Sequence, residues 1–145
     1  MRRRNVMGKL ARFSVSMDED LLRLLDRHLH GRGYSSRSEA IRDFAREILS
    51  AERLKEPHVE AVAVIPIVYD HHRLDLPSRL TELQHKHYHH TVCTLHVHLD
   101  EHHCLEVLIL RGRAGELSEL GNLIIGLNGI KHGKIMLSVP GEQLP

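Results

Sequence analysis

The stretch TLHVHLDEHHCLEV, residues 94–107, sets two histidines one residue apart and a cysteine six positions after the second. A packed strand needs none of these side chains. Imidazole and thiolate are ligands for Zn, Cu, Fe and Ni. In TVCTLHVHL the apolar residues Cys93, Leu95, Val97 and Leu99 alternate with the polar ones and are expected to face the core. His96 and His98 then share the other face, about 7 Å apart by strand rise. Directly opposed residues of a hairpin point to the same side. A register with His98 opposite Cys104 and His96 opposite Glu106 would therefore gather two imidazoles and a thiol, with a carboxylate beside them. By the same parity Cys93 is expected to be buried and not a ligand.

Three ligands do not close a site. The next store of histidines is QHKHYHH, which holds His85, His87, His89 and His90 at the end of the preceding helix. That helix is expected on the sheet face away from His96 and His98, so the fourth ligand should come from a neighbouring chain. The exposed face would then be a subunit interface with metal in it. Tetrahedral zinc with Cys and three His is the guess from general chemistry, whereas planar N/S sites suit Ni(II) or Cu(II). Ligand types alone leave the geometry open.

The elements that must position these residues follow from periodicity. EAVAVIPIVYD reads as a strand, with Pro66 pointing to an edge or a bulge. LDLPSRLTELQHKHYHH reads as a helix with Pro77 in its first turn. TVCTLHVHL and CLEVLILRG are strands around the turn DEHH. AGELSELGNLIIGLNGI is an amphipathic helix ending at Asn128-Gly129, and KHGKIMLSVP is the last strand. The order βαββαβ is the ferredoxin-like arrangement. It would occupy residues 60–140, after a linker at 56–59 and before a frayed tail at 141–145.

The first part of the chain is built differently. Residues 1–55 hold 13 Lys/Arg against 8 Asp/Glu, a net of +5, which suggests an anionic partner. Residues 56–145 hold 7 against 11, a net of −4, and carry 12 of the 14 histidines. In ARFSVSM, residues 11–17, Phe13, Val15 and Met17 face one way and Arg12, Ser14 and Ser16 the other. DEDLLRLLDRHLHGRG reads as a helix stopped by Gly31 or Gly33. A second helix opens on a capping box, with Ser36 as N-cap and Glu39 three residues on. A lone strand cannot satisfy its backbone, and two short helices cannot cover so much leucine. The economical solution is a dimer that pairs its strands, with Arg12, Ser14 and Ser16 of each chain on the outer face of the ribbon. Such a ribbon fits the major groove of double-stranded DNA.

RFSVSM, DEDLLRLLD and GYSSRSEAIRDFAR resemble the ribbon-helix-helix family of bacterial DNA-binding proteins over residues 11–53. Together with the Q-H, T-L-H-V-H and C-L-E spacing, the chain resembles the NikR family of nickel-responsive transcriptional regulators over about residues 11–139. The resemblance implies an α+β protein in which an N-terminal ribbon-helix-helix (βαα) domain at 11–55 is followed by a C-terminal ferredoxin-like βαββαβ domain of the ACT type. It implies one square-planar Ni(II) per chain, held by His96, His98 and Cys104 of one chain and His85 of another. His85 is preferred because it directly follows Gln84. It further implies a homotetramer, a dimer of dimers, that binds operator DNA, and a potassium-like cation at Glu39 and Asp43. Phosphate-contacting basic residues expected near DHHRLDL reduce here to Arg73, with Leu74 beside it. Arg2, Arg3 and Arg4 form a basic arm within residues 1–10, and the extra histidines His71, His72, His87, His89, His90, His102 and His103 are expected either to form secondary metal sites or to be simply solvated.

Other classes are weighed on the same residues. An enzyme is disfavoured: His85 and His89 enclose no glutamate in the place a metalloprotease needs it, and no phosphate loop or nucleophile elbow is present. A four-ligand site also lacks an open position for Lewis-acid work. A histidine-rich storage or trafficking protein with a DNA-binding head is the alternative. An amino-acid sensor of the same fold would leave the histidines unexplained. Two cysteines make no disulfide framework. No apolar run approaches the ~20 residues that span a membrane, and the basic start lacks the apolar stretch of a secretory signal. A cytoplasmic protein is therefore expected, and because its thiolate and imidazoles must lose protons to bind metal, its response should weaken as pH falls.

Overall fold

The computed structural model of the chain describes residues 10–72 and 75–141. The arm with Arg2, Arg3 and Arg4, the pair Arg73 and Leu74, and residues 142–145 of the tail lie outside the described residues. The chain divides into two compact units that part between Asp43 and Phe44.

In the first unit, residues 11–17 form no strand ladder within the single chain. A strand exists only through the partner it bonds to, so alternation by itself does not produce one here. Helix α1 spans Glu19–Gly31, with Asp18 in extended conformation at its N-cap and Glu19 and Asp20 in its first turn, where the helix dipole favours acids. Gly33, at φ +76°, turns the chain toward α2, a conformation that glycine adopts freely. Helix α2 spans Arg37–Arg53. The Glu39 amide donates to Ser36 Oγ at 3.2 Å, as a capping box requires. The Glu39 carboxylate, however, reaches one residue further back and accepts from the Ser35 amide at 3.1 Å and Ser35 Oγ at 2.7 Å. Arg37 forks onto Asp26, with both N–H···O distances at 2.7 Å, and so ties the start of α2 to α1. Leu29 and Ala40 are buried, yet Phe13 is 74% and Val15 62% exposed, and Leu21 and Leu24 are also exposed. A groove of about 840 Å³ is lined by Phe13, Val15, Met17, Leu22, Leu25 and Ile41, with Arg12, Arg37 and Arg42 also on its wall.

The second unit follows the order β1 (Glu60–Asp70), α3 (Leu76–Lys86), β2 (Thr91–His98), β3 (His103–Arg113), α4 (Ala114–Ile125), β4 (Ile130–Gly133) and β5 (Met136–Ser138). The antiparallel sheet runs β2-β3-β1-β4, with β5 also on β1. Strand β1 alternates without a break: Ala61, Ala63, Ile65, Ile67 and Tyr69 are buried and their neighbours half-buried. Leu76 and Leu80 of α3, and Leu117, Leu120 and Ile124 of α4, complete one core with Leu108 and Leu110 of β3. Helix α3 stops at Lys86, and residues 87–90 form a turn, so the later histidines of QHKHYHH are not helical. Helix α4 stops at Ile125 rather than at Asn128, because Gly126 caps it; Gly129, at φ +111°, then redirects the chain into β4.

Pro66 lies in the central strand, not at an edge. Its effect falls on the neighbour. The last strand, expected as one piece, is two, although β4 and β5 keep the same register on β1: Gly133 faces Ile67 and Met136 faces Val64. Lys134, which that register sets opposite Pro66, donates its amide to the Pro66 carbonyl at 3.2 Å. Proline has no N–H to return the bond, and the ladder breaks there. Among the described residues no helix is long and apolar enough to cross a membrane.

Candidate metal centre

Strands β2 and β3 pair with His98 opposite Cys104 and His96 opposite Glu106. His96, His98 and Cys104 each offer a ligand atom, and these atoms lie within 4.8 Å of one another. His98 Nδ1 stands 3.4 Å from Cys104 Sγ, and the two imidazole centroids are 4.9 Å apart. Two ligands on one ion, bound at about 2.0–2.3 Å each, can be no further apart than about 4.5 Å. Side-chain adjustments of a few tenths of an ångström therefore suffice, and the donor set fits a borderline or soft divalent ion.

The placement corrects the expected faces. Cys104 and Glu106 are buried in line with Leu108 and Leu110, on the side the helices cover. His96 and His98, paired with them, lie on that same side, at its rim on the edge strand. Cys93 is exposed, as are Leu95, Val97 and Leu99, which point to the open side of the sheet. Parity says which residues share a face. It does not say which face the helices choose when both are apolar, and here Val62, Val64, Val107 and Ile109 make the open side nearly as apolar as the core.

A buried polar network backs the ligands. Glu106 is 6% exposed, and its carboxylate accepts hydrogen bonds from Tyr69 Oη and from Gln84 Nε2, each at 2.9 Å. Thr94 Oγ1 donates to Gln84 Oε1 at 2.8 Å. His96 Nδ1 lies 3.5 Å from Tyr69 Oη and 3.8 Å from Glu106 Oε2. Ligand imidazoles generally rely on such carboxylates for their orientation and tautomer. Burial first, and then the Glu106 carboxylate, pushes the Tyr69 phenol well above its ordinary range, so it stays a donor. Burial also raises the Cys104 thiol, helped by the negative charges of Asp100, Glu106 and Asp70. To hold a metal here, Cys104 would have to give up its thiol proton. The β2–β3 turn is held by Asp100, whose carboxylate accepts from the His102 and His103 amides at 2.8 Å and is thereby held down to about 2.

Tyr69 escaped the sequence reading, although its inward parity with Ile65 and Ile67 on β1 points to it. Gln84 had served there only as a marker for its neighbour. His71, named only among the extra histidines, sits beside the cluster, with its Nδ1 3.6 Å from Cys104 Sγ. His85 is not part of the cluster. It is exposed in the last turn of α3 and lines a shallow groove with Pro77, Ser78, Thr81 and Glu82. Gln84 points at the sheet, and the next helical residue is turned about 100° away from it. Helix direction, rather than sheet face, keeps His85 from its own chain's triad. In the first unit Arg12, Ser14 and Ser16 are all exposed. Glu39 is engaged by Ser35 as described, and Asp43 lies one turn further along α2.

The fold and the site together define an α+β protein that joins a ribbon-helix-helix domain to a metal-binding domain. The family model described as "NikR C terminal nickel binding domain" matches residues 62–138, and that described as "Ribbon-helix-helix protein, copG family" matches residues 11–52. The chain is 46% identical over 132 residues to a nickel-responsive regulator of Trichlorobacter lovleyi, covering 91% of this chain and 95% of the relative. It is 44% and 46% identical over 138 residues to regulators of the same name from Geobacter metallireducens and Geobacter sulfurreducens, each covering 95% of this chain and 99% of the relative. The chain belongs to the NikR family of nickel-responsive regulators, which are not enzymes.

Proposed function

We propose that the chain is a nickel-dependent transcriptional repressor of nickel uptake or homeostasis genes in the cytoplasm. One Ni(II) per chain would be held by His96, His98 and Cys104 together with His85 of a second chain. The observation that carries this reading is the buried thiol facing two rim imidazoles, three ligands that stop short of a closed site. The exposed His85 is the ligand type such a site lacks and is accessible to a second chain. Residues 11–55 would form the DNA-binding domain. The exposure of Phe13 and Val15 supports strand pairing with a second copy, which would leave Arg12, Ser14 and Ser16 for the operator. Residues 60–140 would be the ACT-type domain that assembles the homotetramer, with Glu39 and Asp43 holding a potassium-like cation. Bridging chains, nickel would favour the arrangement in which both ribbons reach their half-sites, and DNA must then tighten nickel by the same factor.

The test is a Ni(II) titration of the purified protein beside Cys104→Ser. One thiolate-to-nickel charge-transfer band per chain, lost in the variant, supports the reading. Many weakly held ions with no band would leave a histidine-rich storage protein with a DNA-binding head.

A further inference from the structure

The turn that joins α3 to β2 carries a second histidine cluster remote from the triad. Cys104 and Arg111 are seven residues apart on β3, about 23 Å at the usual strand rise. The His90 side chain, only 13% exposed, is seated against this far end of β3. Its Nδ1 lies 3.2 Å from the Arg111 carbonyl oxygen, and its ring packs over Gly112, where a Cβ would come within 2.5 Å of Nδ1. An imidazole nitrogen facing a carbonyl carries the proton and donates it. Nε2 is thus left with its lone pair, the arrangement a metal-binding histidine needs. That nitrogen faces Glu116 Oε2 at 3.8 Å, too long for a hydrogen bond and within the span of two ligands on one ion.

His89 supplies a third group. Its ring centroid is 4.1 Å from that of His90, and both rings line one groove with Glu116, Glu60, Arg111 and Arg113. His87 stands 6.2 Å from His89 and 6.4 Å from His90, nearly parallel to the latter.

We propose that His90 Nε2, the Glu116 carboxylate and the exposed His89 imidazole form a second divalent-metal site, which takes Ni(II) or Zn(II) through nitrogen and oxygen with water completing the shell. His90 and Glu116 are in place, and rotation of the His89 side chain closes the set. Arg111 and Arg113 oppose a cation in the same groove, and no thiolate is present, so this site is weaker than the triad. It does not depend on the nickel-sensing role of the triad.

The experiment is equilibrium dialysis of the full-length protein against Ni(II), run on the wild type, Glu116→Gln, His89→Gln and the double variant. Both side chains are exposed enough for replacement without loss of the core. The wild type is expected to bind a second, weaker equivalent per chain. Each single variant should weaken that equivalent by more than ~10-fold, and the double variant should lose one equivalent while keeping the thiolate charge-transfer band intact. A second equivalent of unchanged affinity in the double variant overturns the proposal, as does a wild type that stops at one equivalent. Loss of the band in the wild type would count against the triad and leave this site standing or falling on its own equivalent.

Discussion

Glu106 shows how much of a metal centre rests on residues that touch no metal. A carboxylate buried opposite Ile67, on the face it shares with Cys104 and Leu108, is costly unless its oxygens are bonded, and here Tyr69 and Gln84 each donate to one of them. Removing the phenol oxygen should expose that dependence. Tyr69→Phe keeps the ring and its packing but deletes one charge-assisted hydrogen bond, for an expected loss of about 1.5–3 kcal/mol in urea unfolding. Ni(II) affinity should fall by ~10-fold or more, because His96 loses a neighbour that orients it. Unchanged affinity would mean that the network serves the core alone. The pairing of His98 with Cys104 was legible from alternation and a short turn. The face was not, since apolar residues on odd and even positions argued for opposite sides and only the helices decide.

Helices and strands raise their own tests. If the missing N–H of Pro66 splits the last strand, Pro66→Val should let β4 and β5 join. The new amide would donate to Lys134 across an unchanged register and add about 0.5–1.5 kcal/mol. Hydrogen exchange at residue 66 reads this directly: a fast-exchanging amide would show that the gap has another cause. Between α1 and α2, Arg37 lowers the Asp26 carboxyl below its ordinary value, chiefly by hydrogen bonding. A carboxyl lowered by folding stabilises the fold above its unfolded pKa, and the contribution is lost as pH falls through the lowered folded value. The stability difference between wild type and Asp26→Asn should therefore be level from pH 7 to about pH 5 and shrink below about pH 4. A difference that grows in acid would reverse the assignment. The helices themselves were legible from their apolar spacing and caps. The break at Pro66 was not, because its cause sits in one strand and its consequence appears some 70 residues later in another.

For the whole molecule, the informative residues are those the single chain leaves uncovered. The N-terminal unit exposes Phe13 and Val15 beside an apolar groove, on a segment whose backbone forms no ladder. The C-terminal unit exposes Leu95, at 60%, with Leu99 and Met136 on the open side of its sheet. Apolar surface of this extent marks association, and two such surfaces on two separate units require two different contacts. If a second copy of the chain covers each of them, the assembly is the dimer of dimers proposed above, and single charges should take it apart in two different ways. Phe13→Glu should abolish ribbon pairing and operator binding while the open-sheet contact persists, so light scattering would report a dimer. Leu95→Glu should also give a dimer, now joined through the ribbon, which still binds a single half-site. If both variants retain the mass of the wild type, neither surface is an interface. If Leu95→Glu alone does, the sheet's apolar face is covered by something other than a second copy of the chain.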